Sequence, residues 1–216
     1  GSRKLFLLGD SHVSNHTESI LKAIKDSKTS YLYNSLIELK ADPLAGRRKD
    51  FLKNLRDKTA KKEFEKVINF LDSNLLSDDI VIFSIERDDV ITNESKLKNL
   101  PRATDYYLLS ILKKEMSKIV DLIQSKNSNL ILVDDIPKPC KVSDYYLINV
   151  VKNGKYSFCN VSRKDSIQDR KPLSLLYRKL ALKPNVKYVD FHSELCPDKT
   201  CGVVSPLNKE KLLYID

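Results

Sequence analysis

The sequence has no apolar run that approaches the roughly 20 residues a helix needs to cross a bilayer. It also has no P-loop, no Gly-x-Gly-x-x-Gly block and no Cys-x-x-Cys knuckle. These absences argue against a transmembrane helix in these residues and against the common nucleotide-binding and zinc-binding motifs. We therefore expect no cofactor of its own and no metal site in this chain.

The composition is typical of a globular domain, with 41% hydrophobic and 31% charged residues in a chain of 216. Gly1-Ser2 resembles the remnant of a cleaved affinity tag, so we expect one domain over residues 3–216. The net charge of +9 favours an anionic partner such as lipid headgroups or an acidic polysaccharide. Because no motif that reads RNA or DNA is present, we expect no nucleic-acid partner.

The cysteines fall into two pairs within the last 80 residues of the chain. Cys196 and Cys201 flank a turn-rich stretch, and a bridge between Cys140 and Cys159 would close a loop of about 20 residues. We predict two disulfides, and hence an oxidising compartment. The residue types leave two alternatives open, which are a metal site made of His192, Cys196 and Cys201, or free thiols.

Strand and helix patterns alternate along the chain. Apolar, β-branched runs predict strands at 4–10, 30–38, 78–85, 129–136 and 186–191. Helical patterns lie between them at about 16–27, 48–73, 102–126 and 172–182. The helix at 102–126 would have one apolar face, made of Leu108, Leu112, Met116, Ile119 and Ile123. This alternation predicts an α/β fold with helices covering a mainly parallel sheet.

Residues 137–171 interrupt this alternation. The stretch contains two of the cysteines and four aromatic residues but little periodicity. Structureless loops of this length are uncommon in a compact domain. We expect a folded insertion tied by a disulfide, either lining a substrate cleft or purely structural.

The first predicted strand runs directly into Gly9-Asp10-Ser11-His12. In open parallel sheets, ligands bind beyond the carboxyl ends of the strands, which is where this serine would lie. A glycine permits a sharp turn there, and a serine at a helix start can be a nucleophile. The same serine can equally be a helix cap, and the spacing alone does not decide between the two.

The motif "LLGDSH" resembles the nucleophile block of the SGNH (GDSL-like) hydrolases. The stretches "LILVDDIPKPC", "ELCPDKTC" and "LLYID" are similar to the periplasmic SGNH domains fused to acyltransferase-3 membrane proteins. The resemblance implies a flavodoxin-like, three-layer α/β/α fold. It also implies O-acetylation of a surface polysaccharide such as the O-antigen of lipopolysaccharide. The domain would lie in the periplasm, tethered to the inner membrane by a membrane domain that relays acetyl groups from cytosolic acetyl-CoA.

The resemblance also implies a serine nucleophile at Ser11. In this family a Tyr-x-Asp stretch leads into Asp-x-x-His, so Asp216 would orient a histidine three residues further on, beyond the sequence given. Among the histidines present, His192 is the best substitute for that base, because it follows the last predicted strand and has Asp190 two residues before it.

The oxyanion hole is less well marked. The backbone N–H of Ser11 is the expected donor, with Arg87 and Asn34 as further candidates for binding the oxyanion or the substrate. The family's Gly-x-Asn-Asp block is absent after the central strand, where Glu86-Arg87-Asp88-Asp89 stands. Two other functions remain open. One is a carbohydrate esterase with the same chemistry, and the other is a glycan-binding domain without catalysis.

Overall fold

The computed structural model describes residues 3–9, 33–40, 58–85, 103–134, 161–196 and 199–201. The chain forms two compact units, 1–133 with 172–189 and 134–171 with 190–216. The sequence-based expectation of one domain with an insertion at 137–171 stays a prediction.

The first unit contains a five-stranded parallel sheet in the order β2-β1-β3-β4-β6. Its strands are β1 (Arg3–Gly9), β2 (Tyr33–Lys40), β3 (Ile80–Ser84), β4 (Asn129–Val133) and β6 (Val186–Val189). This order is that of the flavodoxin-like sheets, with a switch in direction beside β1. The predicted α/β class with a parallel central sheet is confirmed.

Both faces of the central strands β1 and β3 are buried, which explains why these strands appear in the sequence as continuous apolar runs. Phe6 and Phe83 lie on the face that packs against the helices. Leu5, Leu7 and Ile82 alternate with them and are also buried. The sheet therefore has the two-sided burial expected of a three-layer fold.

The helices of the described residues are α1 (Lys58–Asn74), α2 (Ala103–Ser125), α3 (Arg163–Leu180) and the single turn α4 (His192–Leu195). The predicted apolar face of α2 is buried at Leu112, Met116, Ile119 and Ile123, whereas the side chain of Leu108 lies outside the described residues. No helix in these parts of the chain is long and apolar enough to cross a membrane. The predicted helix at 16–27 lies outside the described residues.

Helix α3 starts much earlier than the sequence predicted, at Arg163 instead of about residue 172. Ser162 caps it, since its hydroxyl accepts a hydrogen bond from the Asp165 amide at 3.0 Å. Pro172 therefore lies inside the helix. It is exposed there, where water can satisfy the carbonyl that has no amide partner.

The second unit holds the first part of α3, the turn α4 and a short antiparallel pair of β5 (Val161–Ser162) and β7 (Thr200–Cys201). The Arg163 amide donates to the Lys199 carbonyl at 2.8 Å. The amino end of α3 is thus held to the segment that ends at Cys201.

A buried aspartate closes the amino-terminal edge of the sheet. Asp79 accepts hydrogen bonds from the Lys4 amide at 2.7 Å and the Leu76 amide at 2.9 Å, one on each carboxylate oxygen. These bonds satisfy the amide of the second residue of β1 and an amide just before the turn that leads to β3. This edge therefore supports stability, whereas ligands bind at the opposite edge in such sheets.

Replacement of Asp79 by alanine removes both acceptors and leaves two amides without their partners. We expect Asp79→Ala to lower the free energy of unfolding by about 1–3 kcal/mol, measured by urea denaturation. The control is Asp121→Ala, at an exposed position of α2. Equal stability of the two variants would contradict the role given to Asp79.

Candidate active site at the carboxyl edge of the sheet

Four strands of the sheet end side by side. Gly9 of β1 pairs with Ser84 of β3, Ser84 pairs with Val133 of β4, and Val133 pairs with Val189 of β6. The residues that leave this row define the carboxyl edge. Ligands of open parallel sheets bind beyond this edge, near the point where the strand order reverses.

The strand β1 ends at Gly9 with φ of 158°. Glycine adopts this positive φ readily because it has no Cβ. The residue therefore suits the place where β1 gives way to the Asp10-Ser11-His12 segment. Ser11 follows Gly9 by two residues, so covalent connectivity keeps it near the end of β1.

Two aspartates come directly after β4 and β6, and one arginine binds both. Nη1 of Arg170 lies 3.3 Å from Oδ2 of Asp134, and its Nη2 lies 2.6 Å from Oδ1 of Asp190. Arg170 is 3% exposed and Asp134 is 0% exposed. Buried charges need such partners, because desolvation without compensation is very costly. The strands predicted at 129–136 and 186–191 include both aspartates. In the structure, each aspartate directly follows the last residue of its strand and binds Arg170.

Asp190 joins this ion pair to α4. Its Oδ1 accepts a hydrogen bond from the His192 amide at 2.9 Å. Burial by itself raises the pKa of the Asp190 carboxyl, but the His192 amide and the hydrogen bond and charge of Arg170 outweigh that effect. The pKa of Asp190 therefore lies below its ordinary value.

His192 is buried and hydrogen-bonded. Its Nε2 lies 2.8 Å from Oγ of Ser166, one helical turn before Arg170 on α3. Its Nδ1 lies 3.7 Å from Oδ1 of Asp190, which is beyond hydrogen-bonding distance. With 1% exposure, His192 is held by the protein interior. Its role as a substitute base stays a prediction, since Ser11 lies outside the described residues.

The turn α4 leads into a disulfide between Cys196 and Cys201. This is the pair that the sequence analysis expected. His192 lies close to both sulfurs, so the three residues have the composition of a metal site. A zinc ion would need both sulfurs as thiolates, and here they are bonded to each other.

The structure does not describe every predicted site residue. Ser11, Arg87, Asp216 and the proposed pair Cys140–Cys159 lie outside the described residues. Asn34 lies in β2, but its side chain is outside the description as well. Their proposed roles stay predictions.

Sequence reasoning missed the buried cluster of Asp134, Ser166 and Arg170. A signal for Asp134 was present, because an aspartate that directly follows a buried strand lies at the ligand-binding edge. Ser166 and Arg170 had no such signal, since their segment was assigned to the insertion. They share one helix face through their four-residue spacing, but only the helix start at Arg163 makes that visible.

The family model that describes an SGNH domain fused to AT3 domains, where AT3 denotes acyltransferase-3, matches residues 1–216. The chain belongs to this family. Its predicted resemblance is therefore confirmed. A search of curated protein sequences found no match.

Among solved structures, the periplasmic domain of a lipopolysaccharide acetyltransferase of Salmonella ser. Paratyphi A is similar, with a TM-score of 0.58 and 13% identity. The match covers 98% of this chain and 75% of that one. TesA matches with a TM-score of 0.47 and 11% identity, over 89% of this chain and 81% of that one. A putative SGNH hydrolase of Slackia heliotrinireducens matches with a TM-score of 0.44 and 11% identity, over 88% of this chain and 79% of that one. At 13% identity, the similarity to the Salmonella structure supports the fold alone.

The lowered pKa of Asp190 predicts how this SGNH domain responds to acid. A carboxyl whose pKa is lower in the folded state stabilises the fold above its unfolded pKa of 3.8, and this stabilisation is lost as the pH falls through the lower folded value. We expect Asp190→Asn to be less stable than the parent at neutral pH and to lose less stability below about pH 4. Urea unfolding at a series of pH values measures this difference. Parallel stability curves for parent and variant would contradict it.

Proposed function

We propose that this SGNH domain is the periplasmic part of a membrane-bound O-acetyltransferase, which transfers an acetyl group through Ser11 to a sugar hydroxyl of a surface polysaccharide. One observation carries the proposal. In a chain of this family, the Gly-Asp-Ser-His motif begins at Gly9, the last residue of β1, which is a central strand of the parallel sheet.

The position of β1 supports a catalytic role for Ser11. The strand lies between β2 and β3, so the chain continues to one side of β1 first and to the other side later. In open parallel sheets, the carboxyl end of the strand at such a switch point is the usual ligand site. A helix cap can lie anywhere in the fold, whereas a nucleophile must lie at a ligand site.

The proposed chemistry has two steps. The Ser11 hydroxyl attacks the acetyl carbonyl of the donor, its proton passes to the base, and the tetrahedral oxyanion collapses to release the donor's leaving group. The base then removes the proton of a sugar hydroxyl, whose oxygen takes the acetyl group and frees Ser11. The base is the histidine expected three residues after Asp216, oriented by that aspartate. The Ser11 amide is the proposed donor to the oxyanion.

The proposed acceptor and the proposed location are inferred from similar proteins. The similar Salmonella structure is the periplasmic domain of a lipopolysaccharide acetyltransferase, and the family is described as fused to AT3 domains. A polysaccharide of the lipopolysaccharide type is therefore the proposed acceptor. The proposed donor route leads from cytosolic acetyl-CoA through the membrane domain of the parent chain. The Cys196–Cys201 disulfide agrees with an oxidising compartment.

The role of Ser11 is tested by Ser11→Ala in the full-length gene product, with acetylation of the surface polysaccharide as the readout. We expect a loss of at least about 1,000-fold, because removal of the nucleophile leaves only binding and oxyanion stabilisation. The control is Ser117→Ala, at an exposed position of α2.

Acetylation that persists in Ser11→Ala would contradict the proposal and favour a glycan-binding domain. Transfer and hydrolysis are separated by the products. Acetylated glycan supports the transferase, and free acetate that does not decrease when the glycan is added supports the esterase, since water then takes the acetyl group.

A further inference from the structure

The segments that follow β4 and β6 in the chain begin at the row of strand ends where the proposed chemistry takes place. The paired ends of β1, β3, β4 and β6 form one row. At a strand spacing of about 4.8 Å, the end of β4 is about 10 Å from the end of β1 along this row, and the end of β6 is about 14 Å away. Asp134 and Asp190 directly follow β4 and β6 in the chain, so both segments start at this row of strand ends.

Arg170 is the group that both of these segments share. Its two terminal nitrogens bind different aspartates, at 3.3 Å for Asp134 and 2.6 Å for Asp190. The first aspartate begins the segment after β4, and the second begins the segment after β6. One guanidinium thus sets the separation of the two carboxylates.

A second contact also binds the segment after β6 to α3, one helical turn before Arg170. Ser166 binds Nε2 of His192, while Asp190 binds both Arg170 and the His192 amide. The segment 190–192 is therefore bound to α3 at two successive turns of one helix face. It continues through α4 to Cys196, whose disulfide partner Cys201 belongs to the strand pair that precedes α3.

A role in stability alone does not explain the use of charges here. Apolar side chains of similar volume often stabilise a protein interior as well as a buried ion pair does. What the ion pair adds is direction, because a planar guanidinium binds carboxylates at fixed angles. Such fixed geometry is useful where a site needs its bordering segments placed accurately.

We propose that Arg170 is a positioning residue for acyl transfer, which fixes the segments that leave β4 and β6 at the carboxyl edge by binding Asp134 and Asp190. The inference rests on the proposed function of Ser11. Arg170 touches neither the substrate nor the reacting atoms in this account, and it acts through the two aspartates.

The test is Arg170→Lys in the full-length gene product, with p-nitrophenyl acetate as the acetyl donor. Lysine keeps the charge and much of the volume, but its single ammonium cannot reproduce the two-pronged bridge. We expect kcat to fall by about 100-fold, as a displacement of about 1 Å at a reacting centre can cause, with KM within about twofold of the parent. The melting temperature should stay within about 4 °C of the parent.

The initial burst of p-nitrophenolate counts folded, reactive sites and so separates slow turnover from loss of protein. The matched control is Arg163→Lys on the same helix, which should leave kcat, KM and the burst unchanged. A second variant, Asp190→Asn, removes one carboxylate from the bridge and should also lower kcat more than it changes KM.

The inference is contradicted if either variant is folded and retains the parent kcat. It is also contradicted if both variants unfold below the assay temperature, because the cluster would then serve stability and not the geometry of the site. Ser11→Ala in the same assay keeps the two proposals apart. Activity that persists in Ser11→Ala overturns the proposed function, whereas its loss there together with full activity in Arg170→Lys overturns only the role of Arg170.

Discussion

The common end of four parallel strands is the constraint on which the rest of the structure depends. Hydrogen-bonded register places Gly9, Ser84, Val133 and Val189 in one row. The residue that follows each strand therefore emerges at the same edge of the sheet. Continuous apolar runs in the central strands β1 and β3 help to fix this register, since both faces of these strands are buried. Residues that are far apart in the chain are in this way brought to the same carboxyl edge of the sheet.

Buried carboxylates have different roles at the amino-terminal and the carboxyl-terminal edge of the sheet. At the amino edge, the partners of Asp79 among the described residues are the backbone amides of Lys4 in β1 and Leu76 before β3. Beyond the carboxyl ends of β4 and β6, Asp134 and Asp190 share a buried arginine, and Asp190 is 29% exposed on its side chain. The first arrangement satisfies the backbone, whereas the second holds charged groups in a fixed geometry next to solvent.

The sequence predicted the sheet well because its strands carry a strong, simple signal. All five strands and the apolar face of α2 could be located from runs and spacings of apolar residues. The start of α3 could not, because Pro172 suggested a helix start and the Ser162 cap lies in a stretch without periodicity. The bridge made by Arg170 was hidden for the same reason. Its partners are about 36 residues before it and 20 residues after it, and only the fold brings them together.

Some features of the candidate site could likewise be predicted from the sequence, whereas others could not. The motif around Ser11 could be recognised because covalent neighbours carry it, and the chain's membership of the SGNH family confirms the resemblance. The environment of His192 could not be foreseen, since its contact with Ser166 joins α4 to a helix that the sequence did not predict there. Local motifs are thus readable from sequence, while buried polar contacts depend on packing between distant segments.

The most direct test of the account is to find where the acetyl group is bound during turnover. The full-length gene product is mixed with an acetyl donor, stopped with acid within the burst, digested and analysed by tandem mass spectrometry. The account predicts a single acetyl group on Ser11, in the peptide that follows β1. An acetyl group on Ser166 or another residue, or an unmodified Ser11 peptide while donor is consumed, would contradict it.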